Sequence, residues 1–229
     1  VAGQEVKREF FRELAADTEF FVAVEAVDMA GNTSPPSRVV SFKTKQAEVF
    51  LAHTFEEGAE GYKVKSFKPE QEVSVAPWKL SSTVAPSNGI VWYGGNEKSF
   101  TYNFDQPYDM VVETRFFEAD ADSGLSLQVD SFRDLAPAIL FSVVDLFAIY
   151  VKTVDETTQE ETVAPLKEFV PAENTRSLSL ETEEFDITHL LGGVRRFKLL
   201  FRLKADSWAD VGKGWIFDNL RLRRDEVGE

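Results

Sequence analysis

Cysteine is absent from the 229 residues. Disulfides and thiolate metal sites are excluded with it, while the compartment stays open, because secreted bacterial proteins also live without disulfides. Histidine is scarce. His53 and His189 are the two, so no three-histidine zinc site can form, and no His-Glu-x-x-His helix occurs. Each reads as a surface or hydrogen-bonded histidine. A Gly-x-Ser-x-Gly elbow and a phosphate-cradling glycine loop are also missing. Gly94-Gly95 and Gly192-Gly193 read as turns. Basic residues are outnumbered 25 to 39, for a net charge of −14, which argues against nucleic acid and anionic membrane as partners. The longest apolar run, from Ala138 to Val151, is broken by Asp145 and cannot span a bilayer. No charged n-region with an apolar core begins at Val1, so no signal peptide is read there.

What the chain has is apolar bulk. Hydrophobic residues make up 43%, aromatics 13%, and phenylalanine alone numbers 20, enough for a packed core. The charge is uneven: residues 1–45 carry 6 basic and 7 acidic residues, leaving 19 and 32 for the remainder. Alternation dominates. Phe20, Val22, Val24 and Ala26 alternate with Phe21, Ala23, Glu25 and Val27, a half-buried strand. Asp28 to Asn32 is turn chemistry, and Arg38 to Thr44 is the next strand. Val6 to Leu14 is strand-like. Lys45 to Glu48 is a linker.

From Val49 onward turn signals recur between short apolar runs. Strands are expected over Val49–Glu56, Gln71–Leu80, Ile90–Tyr93, Ser99–Phe104, Met110–Phe117 and Leu125–Val129. Leu140–Val154 reads as two strands or one bent one, and Asp155–Glu161 as a hairpin tip. Ser177–Leu180, Phe197–Leu203 and Trp215–Arg223 follow. Asp186–Leu191 is the best helical turn, with Asp186 as its cap and Gly192-Gly193 closing it. About ten strands with little helix read as all-β, a jelly-roll sandwich.

Gly214 to Arg223 holds the sharpest chemical conflict. Under strict alternation Asp218 shares a face with Ile216, Leu220 and Leu222. A carboxylate there needs a metal, an arginine such as Arg195 or Arg196, or several N–H donors. A second candidate is aromatic. Trp92-Tyr93-Gly94-Gly95-Asn96 places two rings at a strand end beside a turn, and Trp208 lies in the loop before the last strand. Such rings serve either as sandwich packing or as sugar-stacking platforms. Trp92 and Tyr93 must face opposite sides. Glu118, Asp120 and Asp122 alternate in a loop, as a hard-cation cluster or as a solvated turn.

Two resemblances follow. Phe20-x-Val22-x-Val24-x-Ala26-Val27-Asp28-x-Ala30-Gly31-Asn32-x-Ser34, with the strand ending at Thr44, resembles the last half of a fibronectin type III domain. Phe20 stands where that family usually has tyrosine, so the tyrosine-corner hydrogen bond would be missing. The resemblance implies a partial immunoglobulin-like sandwich over 1–45, completed by the missing half of the domain or by a second chain. Thr54-Phe55-Glu56-Glu57-Gly58 with Gly61-Tyr62, together with Phe197-x-Leu199-x-Phe201-x-Leu203 and Gly214 to Leu222, resembles the opening and closing strands of galactose-binding-like and carbohydrate-binding jelly rolls. That resemblance implies a module over 46–229.

Such modules accompany fibronectin type III domains in large secreted bacterial proteases and polysaccharide-degrading enzymes. The implied role is a non-catalytic accessory region, extracellular or at the cell surface, for stability or substrate targeting. A carbohydrate-binding module proper is the alternative, and an independent hydrolase the second. The partners would be a glycan or the parent enzyme's other domains. A glycan would rest on Trp92, Tyr93, Asn96 and Trp208. The related modules also imply a structural calcium ion held by Asp218 with Glu56 or Glu57, Glu56 being preferred.

Overall fold

The computed structural model describes residues 14, 18–44, 48–68, 77–84, 89–99, 101–102, 107–119, 124–135, 145–170, 177, 179–205 and 212–225. The chain separates into two compact units, Val1–Glu48 with Asp225–Glu229, and Val49–Arg224.

In the smaller unit, β1 (Glu19–Val22) pairs antiparallel with β2 (Val40–Lys43). Phe20 stacks on Phe42 across the pair, with centroids 5.8 Å apart. Between the strands the expected turn forms around Asp28. Its Oδ1 accepts the amides of Ala30 and Asn32, and its Oδ2 accepts Asn32 Nδ2. Those donors hold the Asp28 carboxyl below its ordinary range. Gly31 closes the turn at φ +86°, a conformation open to glycine at no steric cost. The stretch Val6–Leu14 lies almost wholly outside the described residues.

The larger unit is a β-sandwich. Its first sheet runs β12 (Glu181–Asp186), β9 (Gly124–Asp134), β14 (Gly214–Asp225), β6 (Val91–Gly94) and β5 (Trp78–Ser81), with β3 (Glu48–His53) also on β14. Its second runs β11 (Glu161–Phe169), β10 (Leu146–Val154), β13 (Arg196–Ala205), β7 (Tyr108–Glu113) and β4 (Lys63–Ser66), with β8 (Phe117–Glu118) also on β13. The chain crosses repeatedly between sheets, as a jelly roll does. The expected helical turn forms as α1 (Thr188–Leu191), starting two residues later than expected, with Ile187 rather than Asp186 at the cap position. Asp186 Oδ1 accepts the Thr188 amide at 2.9 Å, and Gly192 ends the turn in the left-handed conformation.

Several strand boundaries differ from expectation. Met110–Phe117 is broken into β7 and β8, and β9 runs well past Val129. The run at Ser177–Leu180 forms no strand among its described residues; β12 begins at Glu181 instead. Strands β4, β11 and β12 are too charged to announce themselves by alternation. Strand β11 carries Pro165, which a sheet tolerates at its edge, where β11 lies.

The core lies between the sheets, and aromatic rings fill it. Trp215 is fully buried, with Phe147 stacked at 5.4 Å and Trp78 and Phe201 within 5.8 Å. Phe201 and Phe217 stack across the sheets at 4.0 Å. Such pairs add about 0.5–1.5 kcal/mol each beyond the area they bury. The Trp215 indole N–H donates to Ser131 Oγ at 2.9 Å, so the ring's polar end is satisfied.

Strand β14 departs from the expected alternation. Trp215 and Phe217 face the core, as do Leu220 and Leu222, whereas Ile216 packs in a separate cluster with Tyr93 and Phe132. The switch of parity falls at Asn219, whose φ of +49° is left-handed. Asparagine tolerates that conformation, and one extra residue in a strand reverses every face beyond it. Asp218 therefore does not share a face with Leu220 and Leu222, which corrects the reading by strict alternation.

Candidate functional site on the outer face of the second sheet

The Trp92–Tyr93 platform is overturned. The two side chains do face opposite ways, but both are buried: Trp92 is 5% exposed in the main core and Tyr93 is 1% exposed in the second cluster. Trp92 stacks on Phe217 and Tyr62, and the Tyr93 hydroxyl donates to the Lys213 carbonyl at 2.8 Å. A strand covered on both sides leaves neither ring free for a sugar. Asn96 serves the local turn, its Oδ1 accepting the Lys98 amide at 3.0 Å. Trp208, Asp120 and Asp122 lie outside the described residues. Glu118 is on β8, and its side chain is exposed.

Asp218 is 8% exposed and accepts the Asn219 amide through Oδ1 at 2.7 Å. Burial raises its pKa to about 6, the Asn219 amide opposes this, and the charges of Asp130 and Glu56 raise it further. The expected strand Val49–Glu56 ends at His53, and the turn after it, with β14, brings Glu56 and Asp218 within electrostatic reach. Glu56 Oε1 accepts the Ile90 amide at 2.9 Å, and its carboxylate lies where a Cβ on Gly89 would stand. Glu57 is exposed, and its charge is felt at His53. Arg196 is engaged elsewhere, over the Phe116 ring at 3.9 Å. Among the described residues no three histidine or acidic side chains converge closely enough to hold a metal ion.

The densest polar chemistry lies where the sequence pointed to nothing: on the outer face of the second sheet. Along β13 the odd positions Phe197, Leu199, Phe201 and Leu203 enter the core. Lys198, Leu200, Arg202 and the flanking Arg196 and Lys204 therefore point outward. Antiparallel register places Arg202 between Ala148 of β10 and Val111 of β7. Arg202 Nε donates to Asp109 Oδ1 and Nη2 to Oδ2, each at 2.7 Å, while Nη1 reaches the Tyr150 hydroxyl at 3.0 Å. That hydroxyl donates to Glu168 Oε1 at 2.8 Å. The guanidinium carbon lies over the Phe67 ring, 3.8 Å from its centre. Burial lowers the Arg202 pKa, and its bonds to Asp109 more than restore it. Val111, Ala148 and Leu200 form the apolar floor.

A second network adjoins the first. Glu113, at the end of β7, accepts Lys198 Nζ at 2.5 Å and also Lys65 Nζ. Burial pushes Glu113 up, and the two ammonium groups outweigh it, holding the carboxyl below its ordinary value. Lys198 and Arg196 both lie over the Phe116 ring, at 4.1 and 3.9 Å. Phe67 and Phe116, just beyond strand ends, thus pack against ionised groups of the sheet.

No family model matches the chain, and no curated protein matches it. Among solved structures the chain is similar to a family 61 carbohydrate-binding module in complex with β-1,4-galactotriose, at 13% identity over 78% of this chain and 99% of that one, TM-score 0.43. It is similar to the K1 cleaved adhesin domain of Lys-gingipain from Porphyromonas gingivalis W83, at 14% identity over 78% and 98%, TM-score 0.43. A xylan-binding domain of carbohydrate-binding module family 22 is similar at 10% identity over 79% and 97%, TM-score 0.42.

Proposed function

We propose that this chain is a non-catalytic accessory module that holds a glycan on the outer face of its second sheet, within a larger extracellular hydrolase. The observation that carries this reading is half-buried Phe67 and exposed Glu168, held in place by Arg202 and by the buried Tyr150 and Asp109. Sugars are recognised by apolar ring faces beside hydrogen-bonding groups whose positions are set in advance. Here the hydrogen-bonding groups are built on strands and Phe67 directly follows β4, so little order is lost on binding. No helix among the described residues is long and apolar enough to cross a membrane.

The test is a glycan array followed by titration calorimetry. The parent chain is expected to retain at least one polysaccharide. Glu168→Gln, which keeps the packing and removes an exposed charge, is expected to weaken it with little change in melting temperature, and Phe67→Ala, which removes the half-buried ring, to weaken it further. Retention of no glycan would leave stabilisation of the parent enzyme as the module's role.

A calcium ion at the junction of the opening and closing strands belongs to the same proposal. Asp218 Oδ2 and Glu56 Oε2 have no protein hydrogen-bond donor among the described residues. The charges of Asp130 and Glu56 also raise the cost of ionising Asp218. A divalent cation taking one oxygen from each of Asp218 and Glu56 would offset that repulsion, with backbone carbonyls or water completing its shell.

A further inference from the structure

We infer that the glycan held on this face is anionic, a polysaccharide bearing carboxylate or sulfate groups, and that Arg196 and Lys63 receive its charge. The inference rests on the glycan-binding reading above.

Charge complementarity carries it. The chain has a net charge of −14, yet four cations gather at one end of this face. Lys63 and Lys65 point outward from β4, because Val64 between them packs on the core. Lys198 and Arg196 point outward from β13. Register places Lys63 opposite Glu113, and Arg196 opposite Glu118. Two carboxylates therefore stand among four cations.

The two carboxylates are not equivalent. Glu113 is buried and already shared by Lys65 and Lys198. Glu118 is exposed and forms no ion pair with Arg196 within 4.0 Å among the described residues. Among the described residues no acid pairs with Lys63 or Arg196.

Arg196 is also preorganised. Its guanidinium carbon lies 3.9 Å from the centre of the Phe116 ring, and its N–H groups have no protein acceptor among the described residues. A planar guanidinium presents parallel donors matched to carboxylate or sulfate oxygens. A neutral sugar would use the ring face, but Lys198 and Arg196 already occupy Phe116. What this end of the face offers to solvent is cationic edge rather than bare ring.

Long-range repulsion between the acidic chain and a polyanion is confined by screening to about 8 Å at physiological salt, so the local cluster governs contact.

The experiment titrates the full chain with a polyuronate, a sulfated dextran, a neutral β-glycan and an RNA homopolymer. Each is measured at low and physiological salt, for the parent, Arg196→Gln and Lys63→Gln. Binding of the polyuronate or the sulfated polymer is expected, weakened by salt and reduced about tenfold by Arg196→Gln, the loss of one charge-assisted bond. Which of the two binds identifies the charged group. Lys63→Gln, at an exposed side chain, is expected to act in the same direction without altering the melting temperature.

Neutral glycan binding as tight as anionic, indifferent to both substitutions, would overturn the inference and leave the glycan reading standing. Binding of none of the glycans would overturn both. RNA binding as tight as that of the polyuronate would show a general anion surface and overturn the assignment to a polysaccharide.

Discussion

Arg202 and Asp109 meet as a fork on a fork: Nε to Oδ1 and Nη2 to Oδ2, both at 2.7 Å, from adjacent strands. The pair is mostly withdrawn from water, with side-chain exposures of 12% and 6%. Parallel charge-assisted bonds of this kind are directional as well as strong.

Removing one partner of that pair strands the other. Arg202→Ala leaves Asp109 buried and uncompensated, which is expected to cost about 3–5 kcal/mol in urea unfolding. Arg202→Lys is expected to recover only part of the loss, since an ammonium cannot form the fork. An Arg202→Ala chain as stable as the parent would show that the pair contributes nothing to folding.

Trp92 is expected to behave as a core residue. Trp92→Ala opens a cavity beside Phe55, Tyr62 and Phe217, at an expected cost of about 3–5 kcal/mol. Thermal melting reads it directly. Weakened glycan binding with an unchanged melting temperature would restore Trp92 to a binding role.

Asp218 gives a dependence on pH. Its pKa of about 6 in the folded chain lies above the ordinary aspartate value, so the folded state holds that proton more tightly than the unfolded chain. The stabilisation is fully present below about pH 4 and is lost as pH rises through about 6. In chelator, stability from this group is expected to fall across that window, and Asp218→Asn to remove the fall. Calcium in hundredfold excess over Kd is expected to add about 2.7 kcal/mol to the parent at neutral pH. The Asn variant should gain much less. Equal melting of the parent in calcium and in chelator would remove the ion from the account.

Catalysis by the chain alone is not expected, because the sequence carries none of the nucleophile, zinc or phosphate motifs sought. Incubation with polysaccharides and peptides should release no product. Turnover abolished by substituting one acid or histidine would make the chain an enzyme in its own right.

Much was local and therefore legible in the sequence. Alternating apolar residues specify strands because side chains alternate across a pleat, and Phe197 to Leu203 lie where that rule puts them. The Asp28 turn and the Gly192 stop follow from backbone conformations that few residues adopt. The opposite orientations of Trp92 and Tyr93 were legible too. That both sides are covered was not, because covering comes from segments remote in the chain.

The tertiary structure alone decided the rest. A left-handed Asn219 reverses the face of everything after it, and no pattern of hydrophobicity records a single backbone torsion. Arg202 and Asp109 are 93 residues apart, and they meet because β13 pairs with β7. Strand order sets which outward side chains become neighbours. It is chosen by the packing of the opposite, apolar face, so the chemistry of the outer face is written in residues that do not themselves specify where they will meet.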